Sequence, residues 1–207
     1  MTGNKRAEAA GFSLMELLVV LGIFSTVVVS ASDIFLSANK AQRKIAALER
    51  AQSDARFTLE AVTREVRGGR IDWQYYVDNS ISLTGPVEIL ALRDGTDAPI
   101  VFHRSDAGNA SYCPDAASTP CLLVTLGTPG VDQPAPLTPK GVTAQNVKFY
   151  VAPAADPSSF NPAAGTYASN GQPRVTTVLV LKSTEQRAIE GAVVYAQTTS
   201  SSRWYPR

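Results

Sequence analysis

At 207 residues, with 44% hydrophobic and 18% charged residues, the chain is long enough to bury a core and too apolar to be disordered. Its formal net charge of +1 excludes a global electrostatic pull toward nucleic acid or anionic membranes as the basis of function. The length suits one domain with appendages.

Residues 1–11 form a short leader that carries Lys5 and Arg6 and ends at Gly11. From Phe12 to Ser32 there are 21 residues with one charge, Glu16, and twelve of them are Leu, Ile, Val or Phe. As a helix this stretch spans ~31 Å, the thickness of a hydrocarbon core. Its apolar side chains favour insertion by about 4–7 kcal/mol, against about 3 kcal/mol for one acid near the middle. The segment is therefore expected to insert despite Glu16, as a transmembrane helix over 12–36. Lys5 and Arg6 orient it with the leader in the cytoplasm and the remainder outside. A cleavable secretory signal is the competing reading, with Val29-Ser30-Ala31 as its cleavage site and a secreted binding domain as the product. An acid inside the apolar region and a helical pattern that runs past Ala31 both count against it.

The pattern over 37–69 continues as an amphipathic helix. Ile45, Leu48, Ala55, Leu59, Val62 and Val66 fall at helical spacing, with Gln52 as a polar gap. No Pro interrupts Phe12 to Arg67, and Gly68-Gly69 supplies a stop, so one helix is expected from about residue 13 to 67. Beyond it, residues 70–207 read as an extracytoplasmic β domain. Strands are expected at 71–77, 87–93, 100–104, 121–126, 147–151, 174–182 and 191–199, separated by exposed loops rich in Pro, Gly, Ser and Asn. An antiparallel sheet packed on Leu48, Ala55, Leu59, Val62 and Val66 gives an α+β domain.

Residues suited to chemistry are few. His103 is the only histidine and falls in an expected strand, where a strand or surface role outweighs a catalytic one. CPDAASTPC offers Cys113 and Cys121 with no second metal-ligand pair. These two thiols can form one small-loop disulfide in an oxidising compartment, or stay reduced in a reducing one. No Gly-rich phosphate loop is present. RDGTD sets Asp94 and Asp97 around Gly95, the composition of a tight turn, with a calcium loop as the alternative. Two clusters join arginines to aromatics: REVRGGRIDWQYY and the terminal SRWYPR. Arg203, Trp204, Tyr205 and Arg207 are the candidate nucleic-acid contacts, since charge and stacking together hold single strands. Helix-end capping by Arg64 and Arg67 and packing of the tail are the structural alternatives.

Lys5 and Arg6, then GFSLMELLVVLGIF, resemble the class III signal of type IV pilins and their pseudopilin relatives. In that family a membrane peptidase cuts after the leader glycine, methylates the new amino terminus, and leaves an acid at the fifth position. The resemblance thus implies cleavage between Gly11 and Phe12, N-methylation of Phe12, and Glu16 as the acid that sets register against a neighbouring amino terminus. It implies a pilin-like fold, with the long N-terminal helix on an antiparallel sheet. Implied partners are other pilin or pseudopilin subunits, the prepilin peptidase and N-methyltransferase, and the inner membrane before assembly. A filament in the periplasm or at the cell surface would follow, with no cofactor, no metal and no enzymatic activity. Many major pilins carry a Pro about twenty residues after the cut, whereas Ser32-Asp33-Ile34 has none. That points to a minor subunit of a type IV pilus or of a type II secretion pseudopilus. A DNA-binding minor pilin of a competence pilus is the variant in which the terminal arginines contact nucleic acid.

Overall fold

The computed structural model describes residues 12–184 and 191–203. The chain divides into two units, Met1–Arg43 and Lys44–Arg207. Helix α1 (Leu14–Gly68) contributes residues to both. Antiparallel sheets follow it, so the layout is α+β, as the hydrophobic periods of the sequence indicate.

In the second unit α1 buries Ala47, Ala51, Ala55, Thr58, Leu59, Val62 and Val66. The line begins on three alanines four residues apart, a spacing that keeps them on one face while their small side chains admit close approach. The expected stripe is therefore correct from Ala55 onward and wrong before it. Leu48 is 38% exposed and Ile45 56% exposed. One residue along an α-helix turns the side chain by about 100°, so Leu48 flanks the line through Ala47.

Strands β1 (Arg70–Ile71), β2 (Ile89–Arg93), β3 (Pro99–Arg104), β4 (Leu122–Leu126) and β5 (Ala135–Pro136) form an antiparallel meander in chain order. Next come β6 (Val142–Ala152), a two-stranded ribbon of β7 (Phe160–Asn161) and β8 (Thr166–Tyr167), β9 (Arg174–Ser183) and β10 (Val193–Ser201). A second sheet has the order β10-β9-β6, again antiparallel. The single sheet expected from sequence is thus two sheets. They are stitched where Val87 and Phe149 exchange backbone hydrogen bonds, each 2.8 Å. Val175, Thr177, Leu179 and Leu181 of β9 alternate into the core with period two, as a half-buried strand must. One core holds α1 residues Ala51 to Val66 together with Leu90, Phe102, Phe149 and Leu179. β6 is longer than the expected 147–151 because a bulge between Ala144 and Asn146 lets it keep pairing with β9.

The segment expected as a strand over 71–77 is instead a short helix, α2 (Trp73–Asp78). Its cause is local. The Asp72 side chain accepts the Tyr75 N–H at 3.2 Å and so caps the first turn. Asp72 itself is buried, with Arg93 Nε at 2.8 Å as its counter-charge. Tyr76 then reaches the open side of β2, where its hydroxyl accepts from Ala91 N–H at 2.9 Å and donates to Ile89 O at 3.4 Å. A tyrosine does there what a neighbouring strand would do.

The helix ends at Gly68, as expected, but not because glycine supplies a left-handed residue; neither Gly68 nor Gly69 has positive φ. Gly69 is needed for space. A Cβ there would lie 2.6 Å from Arg93 O and 3.0 Å from Glu65 O, and Gly69 O accepts the Ser202 hydroxyl at 2.6 Å. Gly68 has nothing within 4 Å of the same atom position. Gly69→Ala is accordingly expected to destabilise the domain by about 1–3 kcal/mol through overpacking. Gly68→Ala should leave the denaturant midpoint within a few tenths of a kcal/mol or raise it, because alanine is the better helix former.

Candidate functional site

The described part of the first unit is the N-terminal part of α1, whose apolar side chains are exposed. Leu14, Leu18, Ile23, Phe24, Val29 and Ile34 are each more than half exposed. The helix is long and apolar enough to cross a membrane. Its hydroxyl groups fit that medium. Ser25 donates to Leu21 O (2.7 Å), Thr26 to Ile23 O (2.7 Å), Ser30 to Thr26 O (2.9 Å), Ser32 to Val28 O (2.8 Å) and Ser37 to Asp33 O (2.8 Å). A hydroxyl bonded back to its own helix asks nothing of the surroundings, so hydrocarbon need not satisfy it. Glu16 is different. It stands in the first turn, and it is the one charged side chain from Phe12 to Ser32.

Ser13 supplies what the sequence reading missed. Its hydroxyl accepts the Glu16 N–H at 3.2 Å and its carbonyl the Leu17 N–H at 3.2 Å, which makes it the cap of α1. The signal was legible as Ser13-x-x-Glu16, the spacing of a capping box. Glu16 therefore has a local role open to it as well as an intermolecular one, since an acid in the first turn also complements the helix dipole. Phe12 is described and 80% exposed. Lys5, Arg6 and Gly11 lie outside the described residues.

Other candidate positions fall in the second unit. Cys113 and Cys121 are joined as a disulfide with Cα atoms 5.8 Å apart, and both are buried beside Leu123. His103, on β3, places Nε2 3.2 Å from Asn109 Nδ2; burial lowers its pKa, with the Asp106 charge acting the other way. The Asp94 carboxylate closes its own turn. It accepts from the Thr96 hydroxyl (2.7 Å), Thr96 N–H (2.8 Å) and Ala98 N–H (2.9 Å), and these bonds hold it below the usual carboxylate range. Asp97 pairs with Arg70 and lies 3.8 Å from Arg93 Nη1. RDGTD is thus a tight turn, as its composition suggests. Among the described residues no group of three His, Cys, Asp or Glu side chains is placed to hold a metal ion.

The two arginine–aromatic clusters do not stay together. Arg64, Arg67 and Arg203 line one groove with Arg56, which the sequence reading had not singled out. Tyr76 is in the core, and Trp73 sits on the wall of a separate recess of about 910 Å³ beside Ile81 and Leu83. Four charges on that wall pair with each other, Asp72 with Arg93 and Asp97 with Arg70, while Asp156 accepts from the Ser158 N–H and hydroxyl. Trp204, Tyr205 and Arg207 lie outside the described residues. No protein-family model matches the chain, and comparison with curated proteins and with solved structures gives no match.

Each arginine at a helix centre costs about 2.5–3.5 kcal/mol, so Val20→Arg with Val27→Arg adds about 5–7 kcal/mol and cancels the apolar gain. The parent is expected in the membrane fraction after high-salt washing, and the double variant in the soluble fraction.

Proposed function

We propose that this chain is a structural assembly subunit, a minor pilin or minor pseudopilin, and that it acts through the helix beginning at Phe12 and not as an enzyme. The observation that carries the reading is the exposed apolar surface of α1 with every neighbouring hydroxyl satisfied internally and a single carboxylate, Glu16, one turn from its start. Support also comes from the continuity of the helix. α1 runs through Ala31 to Gly68 without interruption, so release after Ala31 would cut it in mid-course.

In this reading the leader is removed between Gly11 and Phe12, and Phe12 becomes a methylated ammonium at the edge of lipid. Such a charge is costly there unless it is paired. The Glu16 carboxylate of an adjoining copy is the complementary charge. Attraction in a low dielectric is strong, and desolvation offsets much of it. The pair therefore fixes which subunit stands where, while apolar contact between helices supplies cohesion. The β domain would face outward, and the Cys113–Cys121 disulfide suits an oxidising compartment.

The capping role open to Glu16 provides a control. Glu16→Gln keeps a side chain suited to the capping box but removes the charge, whereas Glu16→Leu removes both. Both variants are expected to insert and be processed to a mature terminus at Phe12, read by mass spectrometry, yet to enter the filament at least about tenfold less than the parent. If Gln restores assembly and Leu does not, Glu16 is a cap and the charge pair is wrong. A mature terminus at Ser32 would end the subunit reading altogether.

A further inference from the structure

Every sheet in a folded protein must do something with its outer strands, because an open edge offers unpaired N–H and C=O groups to any passing chain. The meander manages both of its edges. β1 and β5 are two residues each, and β5 ends in Pro136. Where β1 stops, the Tyr76 hydroxyl takes over along β2; where β5 stops, Leu122 N–H donates to the Thr138 hydroxyl at 3.1 Å and Leu122 O accepts from Leu137 N–H at 2.8 Å. β6 is bulged, exchanges bonds with Val87, and has its Ala144 N–H and C=O taken by Pro120 O (2.6 Å) and Arg104 Nε (2.8 Å).

β10 has none of these devices. It pairs with β9 through all nine residues from Val193 to Ser201 with no shift in register. Its sequence, VVYAQTTSS, contains no charge, no Pro and no Gly. About half of its backbone groups, those of alternate residues, point away from β9, and no described residue bonds to them. Tyr195 is 79% exposed on this strand.

Beside β10 runs the arginine groove, about 790 Å³, lined by Gln197 and Thr198 of β10, by Arg56, Arg64 and Arg67 of α1, and by Arg203 just after β10. Glu60 is the single acid in it. None of the four arginines forms an ion pair among the described residues. We propose that the β10 edge and this groove together dock an extended, acidic segment of a partner protein, which joins the sheet as a fourth strand. Backbone pairing supplies the attachment, and carboxylates facing the arginines supply selectivity. Charge decides against a second copy of this chain, whose own β10 would bring a second set of the same arginines into apposition. The inference does not depend on the assembly reading above.

The test uses the full-length chain in detergent micelles and a fluorescent nine-residue peptide of alternating Glu and Thr, followed by anisotropy. Saturable binding is expected. It should weaken at least about tenfold with Arg64→Glu combined with Arg203→Glu, two exposed positions whose reversal does not touch the core. It should weaken similarly when alternate peptide nitrogens are methylated, which removes donors from one edge of the peptide without changing its charge. An alternating Lys–Thr peptide should bind the parent poorly and the double variant better. Absence of saturable binding overturns the proposal, as does equal binding of the methylated peptide, which would mean charge attraction alone. So does sedimentation showing dimers of the free chain that Tyr195→Lys dissolves, which would make a second copy the occupant.

Discussion

The carboxylate of Glu16 and the apolar surface around it set the terms for the proposed assembly of this chain. An acid near the end of a hydrocarbon-spanning helix does not prevent insertion, because the apolar side chains outweigh it, but it remains an expense that hydrophobicity alone gives no reason to keep. Ser13 caps the first turn by accepting the Glu16 N–H, a bond that does not involve the carboxylate. A helix cap, however, is served by many residue types, and water at the membrane face would cap the helix end without help. What an acid adds over a neutral cap is charge, and charge in lipid is informative only when a counter-charge meets it. In the proposed assembly, the processed amino terminus of an adjoining helix would bring a charge of the required sign to that depth.

The second unit rests on a different junction, the tight passage from α1 into β1. Gly69 packs against the Arg93 carbonyl, Arg93 neutralises buried Asp72, Asp72 caps α2, and α2 aims Tyr76 at the edge of β2. Each link determines the next, so the helix that buries Ala55 to Val66 is locked to the meander through one arginine. Removing Arg93 would leave the buried Asp72 carboxylate unmatched, which is more harmful than never having had the pair. This explains why a short and apolar-looking run becomes a helix in the middle of a β domain.

The fold was legible where one period dominates. The unbroken apolar and amphipathic helix from Leu14 to Gly68 could be read directly, as could β2, β3, β4, β9 and β10 within a few residues. IDWQYYV was misread because alternation of aromatic and polar residues satisfies a strand template, whereas Asp72 as a cap needs Arg93 from elsewhere in the chain to be affordable in the interior. Leu48 was misassigned because large apolar residues draw attention away from alanines, although Ala47, Ala51 and Ala55 at spacing four mark the true contact line. The division into two sheets depends on the Val87–Phe149 exchange and the β6 bulge, which are long-range and leave no local trace. In the candidate site, Glu16 stood out because charge is rare there. Ser13 was overlooked although its spacing to Glu16 is itself a signature. Arg56 could not be grouped with Arg203 before the helix and β10 were known to be neighbours.

The placement of charge separates what the fold completes by itself from what it leaves open. Asp72 with Arg93, Asp97 with Arg70, and Glu88 with Lys148, whose ammonium holds the Glu88 carboxyl below its usual range, are settled within the domain. Against these stand Glu16 on one unit and the arginine groove on the other, of opposite sign and without ionic partners among the described residues. Exposed arginines in water cost little, so four of them in one groove need no partner on their own account. What distinguishes these four is their position beside the single unguarded sheet edge among the described strands. An open edge that persists is a hazard unless its pairing is made selective, and like charges around it repel copies of the same chain while admitting a strand of opposite sign. The same groups thus protect the edge from self-association and specify what is allowed to occupy it.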